Sequence, residues 1–402
     1  MLVLSLNEKF VYLNKKHYLC IVDNYIRLIM QYWIINLLSG FLVSAFMSGI
    51  LIPQVLLIAF RKRLFDELDE RKIHRVPIPR LGGLVFTPII IFTIALLLCV
   101  NLWLGYYGVM FDLSYNVGVF GAAMCGIILL YLVGIADDLV GVRYRAKFIV
   151  QIISAIGLVM SGVWFRNFYG FLGLDSLNEY VGWVLAIVLV VFIINAINMI
   201  DGLDGLASGL SAVACFYYGI TFSGIHLYSY ALLAFVTCGV LLPFFYYNVF
   251  GKVEKQQKIF MGDTGSLTIG FILSLLSIKI VTIPASGIVW AYHPLVVAFA
   301  PLMLPCLDVI RVFFHRLRTG KNPFMPDNNH IHHKLLALGL DSRTTMVTLL
   351  FSSLICSMCN LWISQYIEIH ILLLMNLGLY GGVNVFITYR IKKRKNREIK
   401  TV

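Results

Sequence analysis

The chain has 402 residues, of which 60% are hydrophobic and only 13% charged, with a formal net charge of +12. Ordinary soluble domains carry roughly 25% charged residues, so these figures exclude a soluble core and leave a bundle in lipid. The positive charge lies in short loops and in the tail, which argues against nucleic acid and for anionic lipid headgroups.

Residues 1–32 carry Lys9, Lys15, Lys16 and Arg27 and lack the compact apolar core and cleavage site of a signal peptide. They are expected to be an extension, either a surface-lying segment or residues upstream of a true start at Met30. Eleven apolar runs of about 20 residues follow, each long enough to span a bilayer as a helix. They lie at 33–60, 81–102, 117–136, 146–164, 180–199, 204–222, 227–247, 265–282, 286–308, 346–365 and 369–389. Helices are expected because lipid offers no partner to free backbone groups. The predicted fold is therefore all-α, a polytopic membrane bundle of about eleven helices over 33–390 with a basic tail at 391–402. Of the 32 Lys and Arg residues, 26 fall in alternate loops and the tail. By the positive-inside rule those loops face the cytoplasm. Cysteines number eight and sit almost entirely inside spans, and Cys356-Ser-Met-Cys359 lies within one, so they read as small apolar residues rather than a disulfide framework or metal site.

Acids at a membrane cost roughly 2.5 to 3.5 kcal/mol at the bilayer centre, so those that remain are informative. Asp137 and Asp138 end the third run, Asp201 and Asp204 lie in the tight link between the fifth and sixth, and Asp263 opens the eighth. By the loop charges all five face the cytoplasm. Adjacent carboxylates repel unless a cation or proton lies between them, which suits a hard divalent ion; the plainer alternative is a solvated span end. In Asn195-Ala-Ile-Asn-Met-Ile-Asp-Gly-Leu-Asp-Gly-Leu206, a continuing helix would put Asn195, Asn198, Asp201 and Asp204 in one stripe. Phe260-Met-Gly-Asp-Thr-Gly-Ser266 offers amides at a helix N-terminus, where phosphate is favoured, although the same residues would also serve as a cap. Asp327-Asn-Asn-His-Ile-His-His-Lys334 matches no closed zinc pattern and reads as an anion site, with metal binding and a solvated loop as alternatives. Arg71, Lys72 and His74 form a second basic candidate, or simply a topology signal.

Together these stretches resemble the polyprenyl-phosphate N-acetylhexosamine-1-phosphate transferases. That family includes the phospho-N-acetylmuramoyl-pentapeptide transferase and the enzymes that initiate O-antigen, enterobacterial common antigen and teichoic acid linkage units. The motifs that carry the likeness are Asp137-Asp138 followed by Lys147 and Gln151, Asp201-Gly-x-Asp-Gly205, Asn248, the turn at 260–266 and His330-Ile-His-His333. The resemblance implies an eleven-helix enzyme that transfers N-acetylhexosamine 1-phosphate, of GlcNAc type by the His-Ile-His-His segment, from a UDP-sugar to undecaprenyl phosphate. UMP would leave and a cell-envelope polysaccharide would begin on its lipid carrier. It further implies Mg²⁺ (or Mn²⁺) on Asp263 and a catalytic pair at Asp137 and Asp138. Substrate contacts would come from Lys72, His74, Lys147, Asn195, Asn198, Asp201, Asp204, Asn248, Phe260, His330, His332 and His333. The expected setting is the bacterial cytoplasmic membrane, with the site facing the cytoplasm and homodimerisation left open. Other classes weighed were a transporter and a lipid-binding scaffold, but the acids cluster at one face and no repeat relates the halves, unlike most transporters.

Overall fold

The computed structural model describes residues 15–64, 78–283, 292–320 and 329–400. Among them the chain is helical throughout, with no strand beyond an isolated bridge between Asn167 and Ser176. Among the described residues, ten helices are long and apolar enough to cross a membrane. The remaining expected span, at 146–164, is the helix Tyr144–Met160, which at 17 residues is the shortest of the set. Large apolar side chains such as Phe46, Val385 and Phe386 point outward, as in a multi-pass membrane protein whose solvent is lipid.

The first helix, Lys15–Lys62, runs unbroken through the boundary expected near residue 32. It packs along Tyr228–Phe250. The short helix Gly108–Tyr115, absent from the sequence reading, fills the turn between two spans. Helix Met303–Arg318 extends ten residues past the expected end at 308, and its buried face carries Asp308, Val312 and Arg316 at one-turn intervals.

One helix organises the rest. Gly262–Thr282 has 94% of its apolar stretch buried, against 17% for Ile369–Arg394, so it is sheathed by protein while the last helix lies largely against lipid. Glu179–Ile200, Val117–Val140 and Leu206–Gly224 pack around it. Close approach is possible because Gly134 faces it; a Cβ there would stand 2.4 Å from Thr264 Cα, inside any tolerable contact. Without a hydrophobic gradient between lipid and protein, such tight backbone contact is a main source of helix association. The N-terminus of this sheathed helix is where the candidate site lies.

Candidate active site

Gly262 turns the chain into the central helix with φ +71°, a conformation that suits glycine. A Cβ there would also strike Arg80 O and the Asp138 carboxylate. The amides thus exposed at the helix start do not wait for a phosphate. Asp138 takes them: its oxygens accept from Asp263 N at 2.8 Å, Thr264 N at 3.0 Å and Thr264 Oγ1 at 2.6 Å. A carboxylate at a helix N-terminus satisfies orphan amides and opposes the positive end of the dipole. The phosphate role expected for this turn is therefore filled by the protein's own anion. The adjacent pair divides accordingly, with Asp138 spent on the helix start and Asp137 turned elsewhere.

Asp137 accepts from Val142 N at 2.8 Å and from Lys147 Nζ at 3.1 Å. Lys147 also reaches Asp263 Oδ2 at 2.8 Å, so one ammonium bridges two carboxylates from different helices. Asn198 donates to Asp263 Oδ1 at 3.2 Å and to Ser266 Oγ at 2.8 Å. Asp137, Asp138 and Asp263 each offer an oxygen, and these oxygens lie within 4.8 Å of one another. Three hard oxygen donors so grouped suit Mg²⁺ or Mn²⁺ far better than a thiolate-preferring metal.

The stripe expected across 195–204 breaks at its middle. The helix ends at Ile200 with Asp201 as its C-cap, so Asp204 leaves the face and pairs with Lys258 at 2.5 Å. Asn195 bonds Gln151 at 2.6 Å and its own helix at Val191 O. Burial first, then the neighbouring Asp263 carboxylate, pushes Asp201 well above the usual carboxylate range, with Arg80 opposing. Asn248 is buried, accepting from Gly205 N and donating to Ile259 O at 2.8 Å. It clamps the link 201–205 to the loop before the central helix. Phe260 holds the other side of that loop through backbone bonds to Pro79 and Gly82.

The histidine segment meets the same link. A Cβ on Gly202 would stand 2.8 Å from His332 Nε2, so the imidazole meets the Asp-Gly turn through that nitrogen's edge of the ring. His332 is 1% exposed, and neither of its ring nitrogens has a hydrogen-bond partner. Burial, then the nearby His333 and His330 rings, pushes its pKa down to about 3, so the ring is neutral near pH 7. His330 and His332 stack nearly parallel with centroids 5.7 Å apart, and His333 lies 4.2 Å from His332. His330 is held by a residue that the sequence reading passed over. Asp308 is fully buried and accepts from His330 Nδ1 at 2.8 Å, Ile331 N at 3.0 Å, Arg311 Nη2 at 2.9 Å and Tyr380 OH at 2.8 Å. An acid at the end of an apolar run with Arg three residues on was the available signal. Lys72 and His74 lie outside the described residues, as do Arg71 and Asp327.

Comparisons with known proteins identify the family. Residues 119–281 match the model of glycosyl transferase family 4, which takes in every acid of the central cluster. The chain is 32% identical over 331 residues to the undecaprenyl-phosphate alpha-N-acetylglucosaminyl 1-phosphate transferase of Pasteurella multocida, covering 81% of this chain and 83% of that protein. It is 29% identical to the enzyme of the same name from Yersinia pestis, covering 81% and 85%. It is also 29% identical to the decaprenyl-phosphate N-acetylglucosaminephosphotransferase of Mycobacterium tuberculosis, covering 69% and 70%. With an acidic cluster at the head of a sheathed helix, a histidine segment beside it and relatives matched over most of their length, the chain belongs to glycosyl transferase family 4.

Proposed function

We propose that the protein transfers N-acetylglucosamine 1-phosphate from UDP-N-acetylglucosamine to undecaprenyl phosphate, releasing UMP, at the cytoplasmic face of a bacterial inner membrane. The observation that carries this reading is the convergence of Asp137, Asp138 and Asp263 on one point with Lys147 between two of them. The names of the matched relatives supply the substrate classes.

Phosphoryl transfer asks a protein for positioning and charge neutralisation more than for covalent chemistry. Asp137 and Asp263 are the residues that would hold Mg²⁺, which would supply neutralisation of diphosphate charge when bound. Asp138 keeps the helix start rigid beneath them. Lys147 balances the two carboxylates and offers its ammonium to phosphate oxygens. Asn198 fixes the rotamer of Asp263. A lipid phosphate oxygen is already a nucleophile, so its attack on the sugar-linked phosphorus, with UMP as leaving group, needs no phosphoryl intermediate on the protein. His332, pressed against Gly202 with both nitrogens unpartnered, is the group to which a polar part of the donor binds. Purified protein given UDP-N-acetylglucosamine, undecaprenyl phosphate and Mg²⁺ should release UMP and form the lipid diphosphate sugar. Absence of UMP under those conditions, or turnover with a muramoyl-pentapeptide donor alone, would overturn the reading.

A further inference from the structure

We propose that Asp308 is the positioning residue of the histidine segment, fixing the ring of His330 so that its Nε2 is presented to the donor nucleotide sugar. The inference rests on the nucleotide-sugar reading above and adds a residue, a tautomer and a route of support to it.

The geometry is specific. A carboxylate has lone pairs only, so the contact at 2.8 Å requires the proton on His330 Nδ1 and leaves Nε2 as the nitrogen that faces other partners. The second carboxylate oxygen accepts the amide of Ile331, the residue that follows, so one side chain sets both the ring and the backbone that carries it. Asp308 is fully buried and His330 is 5% exposed, which leaves neither much freedom to reorient. Arg311 completes the anchor from both sides, donating to Asp308 at 2.9 Å and to the carbonyl of Asn329, just before the ring.

The last helix, Ile369–Lys400, supplies the remaining support. Tyr380 donates to Asp308 at 2.8 Å. Lys334 reaches Asn384 at 3.3 Å and Thr388 at 3.2 Å, and Arg394 donates to Leu338 O at 2.8 Å. Tyr380, Asn384 and Thr388 are four residues apart, so they form one polar stripe on an otherwise lipid-facing helix. A plain intrahelical Asp308–Arg311 ion pair would need neither the ring, the Ile331 amide nor this stripe.

The test is a double-mutant cycle. Asp308→Asn and Tyr380→Phe are made alone and with His330→Ala, and each protein is assayed for UMP release from UDP-N-acetylglucosamine and undecaprenyl phosphate. Asp308→Asn should lower kcat/KM for the nucleotide sugar by about tenfold or more, and Tyr380→Phe by roughly threefold, with KM for the lipid phosphate nearly unchanged. In the His330→Ala background each change should add less than about twofold, because the group it acts through is gone. Additive losses across the cycle, or unchanged donor kinetics in Asp308→Asn, would overturn the proposal. Should Asp308→Asn not fold, the Tyr380 and His330 cycle decides on the same criterion. Wild-type protein that released no UMP would instead refute the function itself, and this assignment with it.

Discussion

The acidic centre and the histidine centre meet at the Asp201–Gly205 link, yet they hold their polar groups in contrasting ways. At the head of the central helix every carboxylate is answered: Asp138 by two amides and a hydroxyl, Asp137 and Asp263 by a shared ammonium. In the histidine segment His330 is tightly held while its neighbour His332 is buried with neither nitrogen paired. A buried polar group left unpartnered costs about 1 to 3 kcal/mol, so a protein that keeps one has reason to. The contrast separates a centre whose charges are held fixed from one that keeps a polar group buried without a partner.

The largest expected effect breaks the first centre chemically without unfolding it. Asp263→Asn should lower turnover by at least about a hundredfold, since each 1.36 kcal/mol lost is tenfold and both the Lys147 ion pair and the proposed metal ligand go together. Its own contribution as a first-turn acid is only about 1 kcal/mol, so the melting temperature should hold within a few degrees. Near-normal turnover by folded Asp263→Asn would move the chemistry to Asp137.

Asp138→Ala should show the converse balance. It removes the acceptor of three hydrogen bonds at the start of the most buried helix, a loss of about 2 kcal/mol or more. A clear drop in melting temperature is expected, larger than for Asp263→Asn; equal stability of the two variants would erase the division of labour between adjacent aspartates.

The histidine centre should betray itself on acidification. His332 has a folded pKa of about 3, below the roughly 6.5 of an unfolded histidine. The unfolded state therefore takes up a proton first, and stability falls as pH drops below about 6.5 towards 3. The melting temperature of wild type should fall more between pH 7.5 and 5.5 than that of His332→Gln, and parallel curves would show that the ring does not titrate on unfolding. The smallest effect is a labelling pattern. Cysteines at Val140, beside the acidic centre, and at Ser342, beyond the histidine segment, should both be shielded from an impermeant reagent in intact cells, while one at Asp175 should react. Unlike labelling at 140 and 342 would place the two centres on opposite sides of the membrane.

Much of the acidic centre was legible in the sequence because each acid sits at a helix end marked by glycine and by the change from apolar to polar residues. The roles within it were less so. That Asp138 would cap a helix through an amide 125 residues later depends on tertiary contact, and Asp204 leaves its stripe because the helix stops at Ile200. Spacing assumed continuity there, and the Asp-Gly turn removed it. In the histidine centre the rings were obvious, but their support was not. Asp308 and Tyr380 look like stray polar residues in membrane spans until folding brings them together across 72 positions.

The central helix also bears on how such a protein is made. It must pass through lipid before its sheath of neighbours has closed, carrying several hydroxyl groups that lipid cannot solvate. Ser266, Thr268, Ser274 and Ser277 each donate to a carbonyl within the helix itself, three or four residues back. Such back-bonds need no other part of the protein, so those groups can stay satisfied during insertion. Thr264, at the very tip, instead turns its hydroxyl outward to Asp138. Biogenesis can thus proceed span by span, with the helix entering the bilayer as a self-sufficient rod and its tip completed last, when the third span's carboxylate arrives.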